Sequence, residues 1–163
     1  MKKVILLALI VFSVNSFAQS SLKEDVEVIQ SIYGKSKADL VRQYMNLSEP
    51  QATEFQKIYD EYETSRKALG QQKVQIINDY GNNYATLDDA KAASLTEASL
   101  KNVNDYDKLL SKTYSKVKKA IGGRNAAKFV QLEQYLQVTI RGEIQNSIPF
   151  IDEIDKTKVS SKI

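Results

Sequence analysis

A chain of 163 residues with 42% apolar content can close one hydrophobic core but hardly two, so a single domain is expected. Its formal charge of +3 falls to +1 once Lys2 and Lys3 are set aside, which argues against a nucleic-acid partner. Cysteine and histidine are both absent; disulfides, thiol nucleophiles, zinc fingers, Ser-His-Asp triads and imidazole acid–base chemistry are excluded, leaving carboxylates as ligands for a hard cation.

Residues 1–18 have the order of a secretory signal. Lys2 and Lys3 precede the apolar run Val4–Phe12, and Ser16-Phe17-Ala18 puts small residues at −3 and −1, predicting cleavage after Ala18 and a periplasmic or secreted product. The run is too short to span a bilayer and no later segment is apolar enough, so no transmembrane segment is expected after cleavage. Residues 19–149 are expected to form one all-helical domain, because apolar residues recur every three or four positions and only six Gly and two Pro occur.

From Leu22 to Met45 a helical stripe is interrupted by Gly34 and by Lys35-Ser36-Lys37, and reads as two helical pieces or one bent helix. A sharper start comes next. Ser48 is an expected N-cap, Pro50 falls in the first turn where its missing N–H costs nothing, and Gln51 is the other half of a capping box. The helix from Glu49 to about Tyr80 places Phe55, Ile58, Tyr59 and Tyr62 on one face. Gly81-Asn82-Asn83 is expected to end it in a left-handed cap.

A third helix should start near Thr86 or Asp88 and run to Ile121, with Leu95, Val103, Tyr106, Leu110, Tyr114, Val117 and Ile121 inward. Its opening, Leu87-Asp88-Asp89-Ala90-Lys91-Ala92, repeats Leu47-Ser48-Glu49-Pro50-Gln51-Ala52 at an offset of 40. Folding back across Gly81–Leu87 sets Tyr62 opposite Tyr106 and Ile58 opposite Leu110. The acidic start of the second helix then lies along the basic end of the third (Lys101, Lys108, Lys112, Lys116, Lys119), as charge complementarity that sets register more than stability, a reading favoured over an anionic-ligand or membrane-surface patch. Gly122-Gly123 breaks the chain, Asn125 is an expected cap, and a fourth helix should run from Ala126 to about Asn146, stopped by Pro149. The polar stretch 150–163 is expected to be disordered.

The predicted architecture is therefore a long antiparallel helical hairpin with two additional helices. Leu47-Ser48-Glu49-Pro50-Gln51 resembles the LTxxQ motif of the Spy/CpxP family of small exported helical proteins, with Leu87-Asp88-Asp89-Ala90-Lys91 as a degenerate second copy in which lysine replaces glutamine. A longer likeness, to uncharacterised exported Gram-negative proteins, covers Met45–Glu63, Tyr80–Tyr84, Lys128–Glu133 and Ile148-Pro149 in order. The resemblance implies an ATP-independent chaperone or envelope-stress adaptor that holds unfolded or partner proteins on the cradle of a homodimer.

Such a cradle mixes apolar and basic groups, a mix found along Tyr62, Arg66, Leu69, Lys73 and Tyr80. An unpaired basic side chain on a core-facing stripe would cost several kcal/mol, roughly, which favours a client-binding surface there; the competing reading is a solvated stretch or one covered by another helix. The alternative function is a structural subunit packed permanently against one envelope partner, with no client-holding activity. No nucleophile–base pair, phosphate loop or carboxylate pair at metal spacing stands out, so neither an enzyme nor a cofactor is expected.

Overall fold

The computed structural model describes Ile29 and residues 32–151. The predicted leader (1–18) and most of the predicted tail (152–163) lie outside them. Four helices form, α1 (Lys37–Met45), α2 (Glu49–Asn83), α3 (Asp89–Ile121) and α4 (Gly123–Ser147), with a 3-10 turn at Tyr84–Thr86 and no strand among the described residues. α2 and α3 make the long antiparallel hairpin, α4 returns along α3, and α1 lies against α4. No described helix is long and apolar enough to cross a membrane.

The turns follow from their residues. Gly34 adopts φ 64° and separates the helical residues Ile32 and Tyr33 from α1, so within the described part of the first segment the helix is broken between Tyr33 and Lys37. The Ser36 hydroxyl accepts from the Asp39 N–H at 3.1 Å and starts α1. Asn46 closes α1 at φ 45°, and Lys128 Nζ donates 2.7 Å to the Met45 carbonyl, meeting an end group the helix itself cannot satisfy.

Three local expectations require correction. Ser48 occupies the N-cap but makes no capping hydrogen bond; its hydroxyl donates 3.3 Å to Gln51 Oε1, so the capping box does not close. Gly81-Asn82-Asn83 does not end α2 in a left-handed residue: the helix runs through Asn83, and Tyr84 continues at φ −52°, ψ −45° into the 3-10 turn. Asn125 is not a cap, because α4 already starts at Gly123 and the Asn125 amide donates back to the Ile121 carbonyl. Asp88 does cap α3, accepting from the Lys91 N–H at 2.8 Å.

The core gathers at the open end of the hairpin, where α2 begins, α3 ends and α1 and α4 cover them. Val41 and Met45 of α1, Phe55, Tyr59 and Tyr62 of α2, Leu110, Val117 and Ile121 of α3, and Phe129, Leu136 and Ile140 of α4 are buried together. Phe129 is its hub, with the rings of Phe55, Tyr59 and Tyr62 edge-on at 5.9, 6.5 and 5.3 Å, a geometry that sets ring edges against π-faces. The register is the one expected, since Tyr62 and Tyr106 meet hydroxyl to hydroxyl at 2.9 Å. Charge complementarity crosses the hairpin at Lys116–Glu61 (2.5 Å), whereas Lys101 and Lys108 both pair with Asp105 on their own helix.

Candidate functional site

The five candidate client-binding residues part into two groups. Tyr62 and Arg66 are core residues, 1% and 2% exposed, which corrects the reading of them as binding surface. Burial at position 66 would be prohibitive only for an unpaired charge. Glu63, one turn away, receives Arg66 Nε at 2.8 Å and a second guanidinium nitrogen at 3.2 Å, a two-pronged pairing that guanidinium geometry favours.

Glu63 also accepts from Lys37 Nζ at 2.5 Å, and the same ammonium lies 2.9 Å from the Glu133 carboxylate. Tyr62 donates 2.8 Å to Glu133. Because that proton is committed, the Tyr106 hydroxyl donates to Tyr62, and Gln137 Nε2 in turn donates 2.7 Å to Tyr106. Two cations and two anions thus neutralise one another inside the bundle, joining α1, α2 and α4, with α3 attached through Tyr106. Burial pushes the Tyr62 hydroxyl far above its ordinary value, reinforced by the Glu133 charge, so it is a neutral donor. Burial would raise the Glu63 carboxyl, but Lys37 and Arg66 together outweigh it and the net direction is downward. Lys37, Tyr62, Arg66 and Glu133 are all buried, so the network is closed to a ligand.

Lys37, Glu63 and Glu133 escaped sequence reasoning, although a signal existed. Lys37, Val41 and Met45 are spaced by four on the buried face of α1, and Glu133 lies four residues after Phe129 and three before Leu136. Each is a charge standing on an apolar stripe. Separately each looks like a solvated interruption, and only the three-dimensional meeting makes them partners.

The second group does converge. Leu69, Lys73 and Tyr80, all half-buried, line a trough along the closed half of the hairpin, where α1 does not reach. Its larger part, about 400 Å³, lies between α2, α3 and the end of α4 over Ile76, Ile77, Leu95, Val103, Ile144 and Ile148. Its narrower part, about 160 Å³, continues past Leu69 and Gly70 to Tyr106, Gln137 and Arg141. Lys73 borders both parts, and among the described residues no carboxylate lines either. The Asn102 amide spans the trough floor to the Leu69 carbonyl at 2.9 Å, and Leu100 on the rim is 65% exposed. Of the motif residues, Leu87 lines the larger part, while Leu47 packs beside the core at the opposite end of the hairpin. The two motif copies therefore mark the two ends of α2 and α3 rather than one shared surface.

The chain matches no protein-family model, no curated protein and no solved structure.

Proposed function

We propose that this is an exported envelope protein that holds unfolded or partner polypeptide segments without ATP, and that the trough in the closed half of the hairpin is where it holds them. The supporting observation is an apolar floor of isoleucine, leucine and valine left open between three helices, with Lys73 and Arg141 among its lining residues. Concave apolar surface with a few convergent polar groups is the ordinary form of a binding site, and long basic side chains cover apolar surface when it is empty and attract acidic segments.

The test is suppression of aggregation of an unrelated unfolding protein, without ATP, at near-stoichiometric amounts. The full chain should suppress it, and Ile77→Asp should abolish most of the effect while the melting temperature moves by only a few degrees. Absence of suppression by the unaltered protein would sink the reading.

The alternative of permanent packing against one partner has its own motivation. Tyr135 and Val138 stand exposed on the outer face of α4. If that reading holds, Val138→Asp should release a co-purifying partner and leave aggregation assays unaffected.

A further inference from the structure

The segment Ile148–Ile151 leaves α4 and turns across the closed end of the hairpin. Ile148 is extended at φ −104°, ψ 141°, the conformation that a following proline favours, so α4 does not continue. Two tyrosines hold the next two residues. Tyr80 donates 3.0 Å to the Pro149 carbonyl and Tyr84 donates 2.8 Å to the Phe150 carbonyl, while the two rings brace each other at 5.6 Å and 64°. Ile148, Pro149, Phe150 and Ile151 all line the trough. Phe150 and Ile151 are nevertheless 41% and 53% exposed, so the strap lies in the trough without filling it.

We infer that this strap is a built-in stand-in for the trough's ligand: the trough takes a non-helical peptide segment with bulky apolar side chains, read at two successive main-chain carbonyls by Tyr80 and Tyr84, and the strap must lift before such a segment enters. The inference rests on the trough being the binding site and adds what it recognises and what guards it. A non-helical ligand is favoured over a helical one because interior helix carbonyls are already bonded within the helix and are poor acceptors for two tyrosines. An acyl chain has no carbonyls at this spacing. The strap is releasable because both tyrosine hydrogen bonds lie at the surface on exposed acceptor residues, where water replaces the donor at little net cost.

The experiment uses the full chain and a dye-labelled peptide of residues 146–151, read by fluorescence anisotropy. A variant carrying Phe150→Asp and Ile151→Asp, both on half-exposed side chains far from the core, should melt as the unaltered protein does and bind the peptide at least tenfold more tightly. Adding Tyr80→Phe and Tyr84→Phe to that variant should weaken binding by about tenfold, and adding Ile77→Asp should remove it. Equal affinity with and without the strap substitutions, or binding indifferent to the tyrosines, overturns the inference. Strap-controlled peptide binding without any client holding would remove the chaperone reading and leave the strap assignment standing. Client holding that ignores the strap would do the reverse.

Discussion

Glu133 has no solvent exposure and receives both an ammonium and a phenol. A carboxylate so placed is retained by its partners, and removing it strands Lys37, itself 6% exposed, beside Glu63 alone. Glu133→Ala should therefore cost about 3–5 kcal/mol in urea unfolding, the usual consequence of breaking a buried pair from one side. Glu63 supplies the acid sensitivity of the same network. Its folded-state value is depressed below the ordinary 4.5, so its stabilising contribution is complete above about pH 4.5 and disappears as the pH falls through the lower folded value. Unfolding free energy measured between pH 6 and pH 3 should fall across that acidic window, and Glu63→Gln should flatten the fall while lowering stability at pH 6. At this scale the sequence made Arg66 legible as a charge on an apolar stripe. Its conversion into core depended on Glu63 lying one turn away and on Lys37 arriving from a different helix.

Among the helices, two glycines that look equivalent in sequence have opposite roles. Gly122 holds φ 87° between α3 and α4, whereas Gly81 lies inside α2 without a positive φ, and an added Cβ meets nothing within 4 Å at either. The space is the same, so backbone conformation alone decides. Gly122→Ala should destabilise by about 1–3 kcal/mol, because a positive φ combined with an extended ψ of 161° is a conformation that essentially only glycine adopts. Gly81→Ala should stabilise by about 0.5–1 kcal/mol by reducing the freedom of the unfolded chain. Paired urea titrations of the two variants check both signs. Helix starts were readable where a side chain does the capping, as at Asp88, and less so at Ser48, whose hydroxyl turns to Gln51 instead. The end of α2 was misread because the Gly-Asn-Asn run permits a left-handed residue without requiring one.

Across the whole molecule the hairpin has an open end packed by α1 and α4 and a closed end holding the trough. Most buried apolar side chains belong to the former, and of α2 beyond Arg66 none is fully buried. Amides of residues 70–82 should thus exchange with deuterium well before those of 55–62 and 110–121, since local opening there exposes little apolar surface. Uniform protection along α2 would contradict this division. Periodicity, the scarcity of glycine and proline, and the short Gly81–Leu87 turn were enough to specify four helices, the hairpin and its register, because each is a property of one segment or of two segments joined by a short turn. What only the tertiary structure decided is which charges meet and which apolar stripe stays open. Those outcomes depend on where α1 and α4 come to rest on the hairpin, and long-range packing of that kind leaves no periodic trace in any single helix.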